Sequence, residues 1–150
     1  MGYDLHITRD AVWAESEDNP ITDTEWLDYI ANDPEFFVDD SNPGEIDPWA
    51  KWRGTGGMMY EKDDSPMFLW YEFHIVVTSP DHATIRKMIQ IASTLNARVL
   101  GDEDEEYFPN GEVAYERYEK MGLLSRLWAW LRRQPTPERK LVRVVTRWDE

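Results

Sequence analysis

Two sets of side chains in this chain have types and spacing that could do chemistry. The first is Asp4, His6, Glu72 and His74. If the segments beginning at Tyr3 and Met67 pair as neighbouring strands, these four face the same way. Two imidazoles and two carboxylates on adjacent strands suit zinc binding or acid–base work. Against a metal site, no His-x-x-x-His spacing appears. The plainer reading is a polar sheet surface, or one covered by the C-terminal part of the chain. The second set is the unbroken acidic run Asp102, Glu103, Asp104, Glu105 and Glu106. A calcium loop needs an internal glycine, and five consecutive acids do not supply it. The run is therefore either a solvated loop or a docking patch for a basic protein, whose approach would relieve the crowding of like charge.

A third group lies between these two. Trp49 and Trp52 stand near Asp39, Asp40, Glu45 and Asp47. Indole rings flanked by carboxylates suit recognition of Lys and Arg. The alternative is that both rings pin a long loop to the core. Trp26 and Trp70 are read as structural. A fourth group is the stretch Leu123–Arg133, a basic amphipathic helix with Trp128 and Trp130. Such a helix binds a membrane, a partner, or the chain's own sheet; the wide apolar arc favours the last. No dinucleotide fingerprint, phosphate loop or nucleophile elbow is present.

The charge distribution selects among function classes. Residues 1–119 carry 8 basic and 27 acidic side chains, whereas residues 120–150 carry 8 basic and 3 acidic, for a total of −14. So acidic a body repels nucleic acid and anionic membrane, and attracts basic partners. With 41% hydrophobic residues and 8 Trp, the chain has the material for an ordered core. It has no cysteine, which excludes disulfides and thiolate chemistry. The start lacks a signal-peptide pattern, and no run is long enough to span a bilayer. A cytoplasmic protein without a cofactor is expected.

These groups must be positioned by local elements. Tyr3, Leu5 and Ile7 alternate with polar residues, as in a strand with one apolar face. Thr22 and Glu25 form a capping box for a helix ending before Asp33-Pro34. Glu35–Val38 reads as a short strand. Residues 39–66 read as a long loop, with Met58–Tyr60 as a strand within it. Met67–Thr78 reads as one strand of twelve residues. Ser79-Pro80-Asp81 supplies a cap, a first-turn proline and a first-turn acid for a second helix. Ile85, Met88, Ile89, Ala92 and Leu95 form its buried stripe, and His82 lies on its exposed first turn. Arg98–Leu100 is a short strand. Val113–Lys120 is ambiguous, and Leu141–Trp148 alternates as an edge strand would. The order through residue 100 is β-α-β-β-α-β. The expected fold is α+β: a ferredoxin-like βαββαβ sandwich in residues 1–108, with a helix/strand extension in 109–150 packed on it as one domain.

Several segments together resemble a group of small bacterial proteins. They are Tyr3–Arg9, Ile21-Thr22 with Glu25-Trp26-Leu27, Phe68-Leu69-Trp70, Ser79-Pro80-Asp81 and Leu95–Asp102. In size and acidity the chain is similar to immunity proteins of bacterial polymorphic toxin systems. That likeness implies tight binding that blocks a toxin's active site, and it transfers no individual residue. The expectation is an acidic protein-binding module for a basic toxin domain. Its contact set would be Asp39, Asp40, Trp49, Trp52 and Asp102 to Glu106. A homodimer is possible. The alternative is a metal-binding or acid–base enzyme using Asp4, His6, Glu72 and His74.

Overall fold

A computed structural model describes residues 2–37, 49–54, 64–120 and 139–149. The described residues form a mixed α+β structure built on a nine-stranded antiparallel sheet with two helices. The strands are β1 (Asp4–Thr8), β2 (Phe36–Phe37), β3 (Trp49–Trp52), β4 (Met67–Tyr71), β5 (His74–Thr78), β6 (Arg98–Gly101), β7 (Glu106–Tyr107), β8 (Glu112–Lys120) and β9 (Arg139–Arg147). The helices are α1 (Asp23–Asn32) and α2 (His82–Thr94), with one 3-10 turn at Trp13–Glu15. The sheet order is β2-β3-β4-β5-β1-β6-β7-β8-β9. It is larger than the four strands of the ferredoxin-like expectation, because segments on both sides of that unit add strands to its edges.

The helices start where local chemistry satisfies their free N–H groups. Thr22 Oγ1 accepts from the Glu25 N–H at 3.2 Å, and Glu25 Oε2 accepts from the Thr22 N–H at 2.9 Å. Asp81 caps α2 by accepting from the Thr84 N–H at 2.8 Å. The cap is thus Asp81, not Ser79, and His82 opens the helix on its exposed side as expected. Trp26 and Ile30 of α1 and Ile85, Met88, Ile91 and Ala92 of α2 belong to one core cluster over one sheet face. Leu5, Ile7, Phe68, Ile75, Val77 and Val99 supply that face. Burying these apolar side chains is the main driving force for the architecture, at roughly 1.5–3 kcal/mol each.

The expected long strand at Met67–Thr78 is instead a hairpin. Glu72 and Phe73 form its two-residue turn, with φ of 42° and 73°. The turn resets the alternation, so Phe68 and Ile75 both reach the core although their sequence spacing is odd. Strand β1 pairs with the second half, β5, through His6↔Val76 and Ile7↔Ile75. The long loop expected at 39–66 contains strand β3, which pairs Trp49 with Leu69. The ambiguous segment 113–120 is strand, because β9 pairs along its whole length. Trp148, just past β9, is 9% exposed and meets His82 and Arg86 of α2. Met58–Tyr60 and Leu123–Arg133 lie outside the described residues.

Candidate functional site

The face of the sheet opposite the helices can be followed strand by strand. The pairings place Trp49, Leu69, Val76, His6, Leu100, Glu106, Ala114 and Val145 in one cross-strand row. Near its middle the 3-10 turn covers the sheet. The Trp13 indole stacks on His6 with ring centroids 4.2 Å apart and planes 3° apart. The His74 ring lies 5.1 Å from His6 and 5.8 Å from Trp13. Thr8 Oγ1 and Ser16 Oγ, 2.8 Å apart, hold the end of that turn.

Both imidazoles are 4% exposed. His74 donates from Nδ1 to the Glu72 carbonyl at 3.1 Å, which leaves Nε2 as its lone-pair nitrogen. Burial lowers the His74 pKa below 6.5 and the neighbouring His6 lowers it further, partly offset by the Glu72 carbonyl and carboxylate. His6 donates from Nε2 to Asp102 Oδ1 at 3.2 Å, and its buried Nδ1 has no hydrogen-bond partner.

The acidic run joins this cluster. Asp102, Glu103 and Asp104 are exposed on the turn between β6 and β7. Asp102 Oδ2 accepts from the Asp4 N–H at 3.0 Å, and its carbonyl accepts from the Trp13 indole N–H at 3.3 Å. Asp104 Oδ1 accepts from the Trp13 backbone N–H at 3.2 Å. The turn is therefore held at defined points. Glu105 folds inward and is 8% exposed. It accepts from the Glu103 N–H at 3.2 Å and the Tyr107 hydroxyl at 3.3 Å. Tyr107 is pushed above its ordinary pKa by burial first, then by the Glu105 and Asp102 carboxylates. Any side chain at Gly101 would collide with the Glu105 carboxylate and the Tyr3 hydroxyl. Glu106 lies in β7, half-buried, with Arg98 3.8 Å away.

The expected contact residues therefore divide. Asp102, Glu103 and Asp104 share one exposed turn, while Glu105 and Glu106 do not project with them. Trp52 is 1% exposed, donates to Glu35 Oε2 at 3.1 Å and belongs to the core. It is removed from the contact set because a ring inside the core cannot meet a partner. Trp49 is half-buried on the open face. Asp39 and Asp40, like Glu45 and Asp47, lie outside the described residues.

The four residues of the metal reading do not form one site. Asp4, His6 and His74 share the face, but Glu72 sits in the exposed hairpin turn, and it is its carbonyl that meets His74. Among the described residues no three histidine or carboxylate side chains converge closely enough to hold a metal ion.

Sequence reasoning missed Trp13, Met67 and Tyr71. Val12-Trp13, an apolar pair inside a polar stretch, was the available signal that this stretch folds back on the sheet. Met67 is 48% exposed and Tyr71 44% exposed, and both share the open face with Trp49 and Leu69. A groove of about 510 Å³ runs beside the acidic turn, between Val12, Arg98, Asp104, Tyr115 and Arg143. A larger groove, about 730 Å³, lies elsewhere, between α1 and α2. Its Lys87 is 4% exposed and donates to Asp33 and Glu35 at 2.6 Å each, so its charge is already matched within the protein. Among the described residues no helix is long and apolar enough to cross a membrane. Comparison with family models, curated proteins and solved structures finds no match for the chain.

Proposed function

We propose that this chain is an acidic protein-binding module without turnover of its own. In this reading it is an immunity-type inhibitor that occupies the active site of a cognate basic toxin in the bacterial cytoplasm. The observation that carries the reading is the turn Asp102–Asp104, exposed and tied to Asp4, His6 and Trp13. A net charge of −14 would steer a cationic partner to it, with association slowing as salt rises. The same open face offers Trp49, Met67 and Tyr71 as apolar anchors on β3 and β4, three to four strands across the sheet from that turn. The same reading takes β4, β5, β1 and β6 with the two helices as a ferredoxin-like kernel, extended on both edges. The enzyme reading has less support, because the ring N–H groups of His6 and His74 are already committed to Asp102 and Glu72.

The test begins with the full chain immobilised in extract of its native host. Captured proteins are identified, then purified and assayed one by one against the wild type and a D102N/E103Q/D104N variant. A supporting result is a basic protein that is toxic when expressed alone and harmless when co-expressed with this chain. Its association should slow with added salt and fall by at least about tenfold in the triple variant. Absence of any such protein, or binding indifferent to the three substitutions, sinks the reading.

A further inference from the structure

The 3-10 turn over the histidine pair is held more lightly than what it covers. No residue of Trp13–Glu15 is buried, whereas His6 and His74 beneath it are each 4% exposed. Trp13 stacks on His6, gives its backbone N–H to Asp104 Oδ1 at 3.2 Å and gives its indole N–H to the Asp102 carbonyl at 3.3 Å. Ser16, the next residue after the turn, is 2% exposed and bonded to Thr8 at 2.8 Å, so it pins one end. A segment with few buried contacts and exposed hydrogen bonds opens locally without unfolding the rest.

The covered pair has no place for an added proton. His74 already gives Nδ1–H to the Glu72 carbonyl, so a second proton makes Nε2–H, which has no hydrogen-bond partner among the described residues. The lone-pair Nδ1 of His6 is buried beside it and bonded to nothing. The other charged and titratable groups here are Asp4 and His6 on β1, Tyr71 and Glu72 on the β4–β5 hairpin, Asp102 and Asp104 on the β6–β7 turn, and Glu15 on the lid. Glu72 favours charge on His74 through its carbonyl and its carboxylate, but burial, the largest effect, with repulsion from His6, holds the His74 pKa below 6.5. We propose that Trp13–Glu15 is a proton-operated lid: protonation of His74 lifts it about Ser16, lets water reach the ring and unties the acidic turn from Trp13. Asp102 keeps the Asp4 N–H when the lid opens, so the turn loosens on one side only. The lid is a property of the free chain. Loosened hold on a partner at acid pH is a corollary that rests on the binding reading, and the lid stands without it.

The test uses the full chain with its 8 Trp replaced by 5-fluorotryptophan, followed by fluorine NMR from about pH 7.5 to 5, the range in which imidazole titrates. A W13F sample identifies the Trp13 line, and ring nitrogen spectra report the His74 proton in the same samples. The lid predicts that the Trp13 line shifts as His74 takes up its proton, with the open-to-closed ratio rising by up to about tenfold per pH unit, while the lines of the core residues Trp26 and Trp52 stay in place. His74→Phe should hold the Trp13 line still across the range, and His74→Gln serves if the phenylalanine variant does not fold. A Trp13 line that stays fixed in the wild type overturns the inference, whether or not His74 is protonated. So does a Trp13 line that moves only together with Trp26 and Trp52, which is global unfolding, or one that moves equally in the His74 variant.

Discussion

His6 and Asp102, 96 residues apart in sequence, meet at 3.2 Å between Nε2 and Oδ1. This bond ties the centre of the sheet to the acidic turn, and Trp13 closes over it. His6→Ala removes the bond and the stacking surface together, and should cost about 2–4 kcal/mol in urea unfolding. Asp102→Asn keeps the shape and an acceptor, and should cost only about 1 kcal/mol. Trp13 emission should shift to longer wavelength in the alanine variant alone.

His74 makes stability depend on pH. Its folded pKa lies below 6.5, so the folded state binds its proton less readily than the unfolded chain. The contribution is full above about pH 6.5 and is lost as pH falls from there through the folded value. Unfolding free energy should be lower at pH 5.5 than at pH 7.5, and His74→Phe should flatten that difference. An unchanged slope would place the titration elsewhere.

A second window lies at more acidic pH. Glu25 is held at about 2 by its hydrogen bond with Arg9 first, then by the Thr22 N–H. Its stabilisation is present above pH 4.5 and disappears as pH falls toward 2. The carboxylate is 41% exposed, so solvent screening limits the pair to about 1 kcal/mol. Glu25→Gln should remove that share of the acid transition.

Lys87 joins α2 to the segment after α1 through Asp33 and Glu35. Burial raises the Asp33 pKa, but hydrogen bonds from Lys87, the Glu35 N–H and Tyr29 outweigh it and hold the carboxyl below 3.8. Lys87→Met leaves two carboxylates facing each other and should cost about 2–4 kcal/mol at pH 7. The loss should shrink as pH falls and those carboxyls protonate.

The hairpin turn at Glu72-Phe73 uses two side-chain-bearing residues at positive φ, where Asn-Gly is the favoured pair. The variant E72N/F73G relieves that strain and should gain about 1 kcal/mol, measured by thermal unfolding. A loss instead would show that the Phe73 ring, 6.2 Å from Trp70, contributes more than the strain costs.

What the chain specified by itself is what near neighbours in sequence can encode. Alternation at Tyr3–Thr8 gave β1, and the Thr22/Glu25 box gave the start of α1. The stripe from Ile85 to Ala92 gave α2, and the charge count gave the acidic character. Each rests on contacts within a few residues or on composition, so no partner segment is needed to read it. Tertiary structure decided the rest. Met67–Thr78 carries no Gly, Pro or Asn at its middle, so only the pairing of β4 back on β5 shows that it turns. Val113–Lys120 became strand because β9 lies along it. Trp52 went inside and Trp49 stayed at the face because β3 pairs with β4 in one register and not the next. The imidazole pair and the acidic turn were visible as two separate groups. Their union under Trp13 required closure of a chain segment of nearly a hundred residues, and its free energy comes from the packed sheet, which no local pattern contains.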